Sequence, residues 1–249
     1  MGLLEEGQQV GRVYEVESFL GEGAFAEVYR VKHRILGRQA MKVFKRSGMV
    51  LEEVEQLLGE AILLSRLHHP NIIRVFDAST LEMPNGIFGY FTMEHIAGGS
   101  LDRFWKSHGA RIVPLETAVD LIRQACRGMA CAHREKPPIA HRDIKPQNIL
   151  VGYDGEGLRV RVSDFGLAKN VNPLTLLATA AGTIPFKAPE VFTDFKEDSC
   201  AGDVWSLGST LYLLLTDRLP VEMDPRLGWR NRAAFDREID PPSMYNIDV

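Results

Sequence analysis

In HRDIKPQN (residues 141–148) an Asp, a Lys and an Asn follow at intervals of two and three residues, beside a second basic residue, Arg142. On a regular strand or helix these would be unrelated polar side chains. A helical pattern, VDLIRQACRGMACAH, precedes them and the apolar pair Ile149–Leu150 follows, so the octapeptide reads as an ordered loop between a buried helix and a short strand. A loop that gathers an acid, an amide and two basic side chains in so short a span suits a site that handles anions and a metal.

Three other places carry side chains of that kind. LGEGAFAEVY (20–29) sets Gly21 and Gly23 between two strand patterns. Glycines there let the backbone approach a phosphate closely and turn N–H groups toward it. A glycine-rich hairpin is more often only a turn, and no helix follows this one, so it is not a dinucleotide fingerprint. Lys42, in QAMKVF, lies on a strand pattern between Ala40 and Val43. A strand lysine ordinarily faces solvent; buried and paired with Glu60, on the N-terminal helix pattern, it would present a compensated ammonium to an anion. Glu60 reads equally well as a solvated helix residue. Asp164, in VSDFG, ends the apolar strand LRVRV just before a glycine. A carboxylate so placed can hold a divalent cation, and Mg2+ favours one or two carboxylates plus phosphate oxygens over a protein cage. Asn148 offers a second oxygen; an Asx turn is the alternative use of Asp164.

The elements that must position these residues change in character along the chain. YEVESFLG, AEVYRVKHR, RQAMKVFKR, IIRVFDAST and GIFGYFTMEHI read as strands, the last two joined through Pro84-Asn85-Gly86, and residues 51–67 read as a helix. Beyond IAGGS (96–100) the patterns PLETAVDLIRQACRGMACAHR and DVWSLGSTLYLLLT are helical, with brief strands at ILVG and LRVRVSD. Two lobes joined at Gly98-Gly99, with a ligand cleft between them, are expected. The 249 residues suffice for such a pair, and 45 % hydrophobic and 25 % charged residues are ordinary for a globular chain. A net charge of −4 argues against a nucleic-acid partner. Three scattered cysteines make neither a disulfide framework nor a zinc site, so a reducing, cytoplasmic setting is expected. There is no membrane segment, no signal-peptide pattern, and no Ser or Thr at position 6 to accompany Gly2 for myristoylation.

Taken in order, the pieces resemble the signature of the eukaryotic-type (Hanks-type) serine/threonine protein kinases, from about Tyr14 to near the end: GEGAFAEV, AMK, Glu60 ten residues before Pro70, HRDIKPQN, DFG (164–166), APE (188–190), then DVWSLG. The resemblance implies an α+β, bilobal fold with a β-rich N-lobe (14–96) holding one main helix and a mainly helical C-lobe (97–249), after an N-terminal extension (1–13). It implies ATP- and Mg2+-dependent transfer of a phosphoryl group to Ser or Thr of a protein substrate. Asp143 would accept or orient the hydroxyl proton, Lys145 would neutralise charge on the transferred group, and Asn148 and Asp164 would hold Mg2+. Lys42, tied to Glu60, would hold the α- and β-phosphates under the glycine-rich loop Leu20, Gly21, Glu22, Gly23, Ala24, Phe25, Ala26. Adenine would lie between Val28 and Ala40 above and Leu150 below, with Met93 as gatekeeper and backbone groups of Glu94 and Ile96 on the base edge. HRDIKPQN and the plain loops are compatible with a bacterial member.

The resemblance also implies regulation. Arg142, with Lys169, would bind a phosphate on the activation segment, for which Thr175 and Thr179 are the candidates and Thr183 a structural residue. The sequence departs from the pattern at Ala26 (the third glycine), at Phe186, and at Ser100, where an acid for the ribose is usual and Asp102 stands near. The C-lobe lacks its last helices, which would leave Glu190 without its arginine and apolar surface uncovered on the DVWSLGSTLYLLLT helix, to be filled by a partner or further chain. Two other readings are a nucleotide-binding pseudokinase or interaction module completed by a partner, and a small-molecule phosphotransferase. The intact catalytic set argues against the first and the GT and APE pieces against the second.

Overall fold

The structure is a computed structural model that describes residues 2–23, 26–45, 58–84, 86–155, 157–165, 184–194, 199–224 and 226–249. The chain divides into two compact units, one of residues 1–68 and 73–95, the other of residues 69–72 and 96–249. Helix and strand are both well represented, as an α+β chain requires.

The first unit is a six-stranded antiparallel sheet in the order β1-β2-β3-β4-β6-β5, from β1 (Gln9–Val10), β2 (Tyr14–Glu22), β3 (Ala26–His33), β4 (Gly37–Phe44), β5 (Val75–Met83) and β6 (Gly86–Glu94). One helix, α1 (Gly59–Arg66), accompanies it. The expected helix began at residue 51, and 51–57 lie outside the described residues. Alternation builds the core: Tyr14, Val16, Tyr29, Val31, Met41, Val43, Phe88 and Tyr90 project from four strands into one apolar cluster.

Within residues 2–13, set apart in the sequence as an extension, Leu4 and Val10 join that cluster and Gln9–Val10 the sheet. Leu4 is 5 % exposed and Val10 fully buried within it, and Val10 pairs with Tyr14. Backbone donors fix the segment: Leu3 N–H to Glu27 Oε2 (2.8 Å) and Leu4 N–H to the Tyr29 hydroxyl (3.0 Å), which itself donates to the Glu27 carboxylate. Burial, with Glu27 beside it, pushes the Tyr29 hydroxyl up to about 12, so it stays a donor at any physiological pH. Leu4→Ala is accordingly expected to cost about 2–5 kcal/mol in a denaturant melt, the range for a buried leucine. An unchanged midpoint would show that the segment does not anchor the sheet.

The second unit contains α2 (Leu101–Lys106), α3 (Leu115–His133), the hairpin of β7 (Ile149–Asp154) and β8 (Gly157–Val162), and α4 (Cys200–Thr216). Helix α3 is amphipathic, burying Leu121, Ile122, Ala125, Met129 and Ala132 on one stripe. The strand expected from Ile72 starts only at Val75, because Asn71 and Ile72 serve the second unit. The Asn71 amide donates to Gln124 Oε1 (3.2 Å) and Val160 O (3.1 Å), and its carbonyl accepts Val162 N–H (2.9 Å). Within the second unit Gly98 packs against β7: a Cβ there would sit 2.2 Å from Val151 O, so only glycine permits that approach.

The expected apolar exposure on α4 is absent, save for Val204 at 63 % exposed. The tail covers the helix instead. Phe235 packs on Trp205 and Phe192, the Tyr212 hydroxyl donates to Asp240 O (3.0 Å), and the Asn246 amide donates to Leu215 O (2.9 Å). Glu190 makes no ion pair among the described residues. None of the helices among the described residues is long and apolar enough to cross a membrane, and Cys126, Cys131 and Cys200 are free thiols.

Candidate active site

In the second unit the octapeptide is the ordered loop expected, ending in a 3-10 turn (Pro146–Asn148) that feeds β7. Its three polar residues converge. Lys145 Nζ lies 2.9 Å from Asp143 Oδ2, and Asn148 Nδ2 donates to the same oxygen (2.9 Å) and to the Asp143 carbonyl (2.8 Å). The other carboxylate oxygen, Asp143 Oδ1, is buried without a hydrogen-bond partner among the described residues. Such an atom costs free energy unless some ligand uses it.

The loop is held from behind. His141 Nδ1 accepts Asp143 N–H (3.2 Å), so its Nε2 is the protonated nitrogen and donates to Ser163 O (2.8 Å). Its ring also packs on Phe165 at 4.5 Å. Asp203, on α4 and 1 % exposed, accepts from His141 N–H and His133 Nε2 at Oδ2 and from Arg142 N–H at Oδ1, each at 2.8 Å. Burial alone would raise this carboxyl, but the hydrogen bonds from His133 and the loop outweigh it and hold it below the usual carboxylate range. Arg142 needs this support because its φ of +68° is the left-handed conformation that β-carbon-bearing residues avoid. Lys187 adds a bond to the Arg142 carbonyl. Arg142 Nε is buried without a partner among the described residues.

Asp164 also has a left-handed φ, +64°, and its Oδ2 accepts from the Ser163 hydroxyl (3.0 Å). Ser163 N–H in turn donates to Asn148 O (2.9 Å), so the two candidate metal ligands are joined through one residue. With Nδ2 committed to Asp143, Asn148 keeps its amide oxygen for a cation. Two oxygen donors suit Mg2+, and no cluster of three or more His, Cys, Asp or Glu occurs among the described residues. Leu150 and Ile96 are half-buried in this unit. Ser100 is the N-cap of α2, accepting Arg103 N–H at 3.3 Å, and Asp102 is bound to Lys106 (2.9 Å) and Gln147 (2.9 Å).

In the first unit Lys42 is 3 % exposed, so the solvent-facing alternative fails. Its ammonium lies 5.5 Å from the Phe91 ring and 5.9 Å from Phe44, a favourable setting for a desolvated cation. Strand register sets Val28 opposite Lys42 and Ala40 opposite Met93, with Glu94 opposite Gln39. Glu60 is carried at the start of α1, but its side chain lies outside the described residues. The glycine-rich turn closes through Gly23 N–H to Ala26 O (2.8 Å), with Leu20 exposed and Gly21 half-buried. Glu22 pairs with Lys45 (2.8 Å), whose hydrogen bond lowers the carboxyl. Ala24 and Phe25, and farther on Lys169, Thr175, Thr179 and Thr183, lie outside the described residues.

Asp203, His133 and Ser163 were not among the expected functional residues. The available signal was an acid inside an otherwise apolar helix, DVWSLGSTLYLLLT, since a buried charge must have partners.

A family profile described as protein kinase domain matches residues 14–239. The chain is 34 % identical over 217 residues to the serine/threonine-protein kinase ATG1c of Arabidopsis thaliana, covering 86 % of this chain and 28 % of that protein. A probable serine/threonine-protein kinase of Clostridium perfringens is 34 % identical over 251 residues, 98 % of this chain and 34 % of that protein. The CBL-interacting protein kinase 25 of Oryza sativa is 36 % identical over 244 residues, 95 % of this chain and 46 % of that protein. The chain thus spans less than half the length of each of these relatives.

Proposed function

Since the chain belongs to the protein kinase family, we propose that it transfers the γ-phosphate of ATP, with Mg2+, to serine or threonine hydroxyls of proteins, its own chain included. The observation that carries this reading is Asp143, one oxygen held by Lys145 and Asn148 and the other buried without a hydrogen-bond partner among the described residues. Asp143 Oδ1 takes the hydroxyl proton as the substrate oxygen bonds to the γ-phosphorus and the bond to the β-bridging oxygen breaks. Lys145 neutralises charge on the transferred group. Asn148 and Asp164 hold Mg2+, which supplies charge neutralisation on the phosphates when bound. Lys42 holds the α- and β-phosphates with Glu60 as counter-ion, under the turn from Leu20 to Ala26. Val28, Ala40 and Leu150 pack on adenine beside Met93, and backbone groups of Glu94 and Ile96 pair with its edge. Arg142 Nε, buried without a partner among the described residues, supports a phosphate on Thr175 or Thr179 as the activating modification. The three free thiols fit work in the reducing cytoplasm.

The test is transfer from γ-labelled ATP to the chain itself and to a generic basic protein, with and without a Mg2+ chelator. Label on serine or threonine, lost with the chelator, is expected. No transfer to any substrate with Mg2+ present would reject the reading.

A further inference from the structure

The turn between β3 and β4 is built against the usual preference for small and polar residues. Gly37 adopts a left-handed φ of +78°, and His33 Nδ1 accepts the backbone N–H of both Ile35 (3.1 Å) and Leu36 (3.0 Å). A side chain thus satisfies the turn's donors, as Asp or Asn does elsewhere. The His33 ring is itself set edge-on against Tyr14 at 5.1 Å. On this fixed frame Ile35 is 76 % exposed and Leu36 65 % exposed. Single exposed aliphatics are unremarkable. Two in succession, at the tip of a turn whose backbone asks for neither, need another reason.

Their surroundings are basic. Arg34 N–H donates to Val13 O (2.9 Å), which ties this tip to the β1–β2 turn carrying Arg12. Arg12, Lys32, Arg34 and Arg38 are all exposed around the aliphatic pair. The nearby acids are Glu15, in register with Lys32, and Glu17, which holds Arg38 (2.9 Å) and Arg30 (2.8 Å) and whose carboxyl they draw down against a raising effect of burial. Arg12 and Arg34 make no ion pair among the described residues. A basic tip of this kind stands out on a chain whose net charge is −4.

We propose that this tip docks on an anionic lipid bilayer, with Ile35 and Leu36 entering the headgroup region and Arg12, Lys32 and Arg34 meeting lipid phosphates. The chemistry favours lipid over a protein partner. A specific protein interface needs roughly 800 Å² on each side with complementary shape, whereas a projecting two-residue tip needs only a soft apolar layer under negative charge. Two aliphatic side chains hold weakly by themselves. Each basic residue near such a surface adds about a five-fold partition factor, so attachment is reversible and falls as salt rises.

The measurement is co-sedimentation of the full chain with vesicles of phosphatidylcholine alone and with phosphatidylserine added in equal part. Sedimentation with the anionic vesicles only is expected. The double variant R12Q/R34Q should lower it about 25-fold. I35S/L36S should abolish it, with the melting temperature and phosphoryl transfer to a soluble substrate at wild-type values. The proposal is overturned if wild type ignores both vesicles, or if I35S/L36S sediments as wild type does. It is equally overturned if the tip governs dimerisation or capture of an acidic peptide without any vesicle binding.

Discussion

Asp143→Asn is expected to slow phosphoryl transfer by about two to four orders of magnitude, the usual contribution of a positioned base, with a melting temperature close to wild type. The substitution keeps the size of the side chain and an acceptor for the Asn148 amide at 2.9 Å, so the loop retains its shape. What it removes is the basic oxygen, Oδ1, that no group among the described residues uses. The ion pair with Lys145 at 2.9 Å also goes, freeing that ammonium from its present partner. Single-turnover transfer from labelled ATP, read beside a thermal melt, separates chemistry from folding. A variant that keeps more than about a tenth of wild-type transfer would remove Asp143 from the role of base, because general-base effects are larger than that.

Asp203→Ala should cost about 3–5 kcal/mol of stability, as breaking a buried charge network does, and activity should fall with it. One carboxylate, 1 % exposed, satisfies two backbone N–H groups of the loop at residues 141–148 and the His133 ring. Removing it leaves buried donors unpaired and releases Arg142 from a backbone conformation that costs about 1–3 kcal/mol to hold. Asp203→Asn keeps one acceptor and should lie between. The pH dependence gives an independent reading. The Asp203 carboxyl is held below its ordinary value, despite burial, by bonds from His133 and the loop. Its stabilisation is therefore complete above the unfolded-state value of roughly 3.9 and lost as pH falls through the lower folded one. Denaturant melts from about pH 5 down to pH 3 should show wild type losing a component that Asp203→Asn lacks throughout. Parallel curves for the two proteins would show that Asp203 is not ionised in the native state.

Much of the candidate catalytic set is legible in the linear chain because it is local. Asp143, Lys145 and Asn148 share one turn of backbone, so their spacing in sequence nearly determines their spacing in space, and they do converge. The strands themselves were as readable from AEVYRVKH and GRQAMKVF, which pair with Val28 opposite Lys42, although the second is buried continuously from Gln39 to Phe44 rather than alternately. Burial of Lys42, by contrast, required the sheet and the Phe44 and Phe91 rings around it.

What the sequence by itself determined, then, is the local spacing of the candidate catalytic groups and the elements that carry them. The support of those groups was decided by tertiary structure. Asp203 lies 62 residues from His141 in sequence, and nothing in DVWSLG announces which backbone it will meet. Leu3 and Leu4 meet Glu27 and Tyr29 only because the first residues fold back across the sheet, which turned an apparent extension into core. The tail likewise covers α4 through Asn246 and Asp240, where the linear pattern suggested bare apolar surface. The physical reason is common to all three. Short-range pattern records the propensity and polarity of a segment, whereas a buried polar group or a terminal strand acquires its meaning from partners far away in sequence, and only packing selects them.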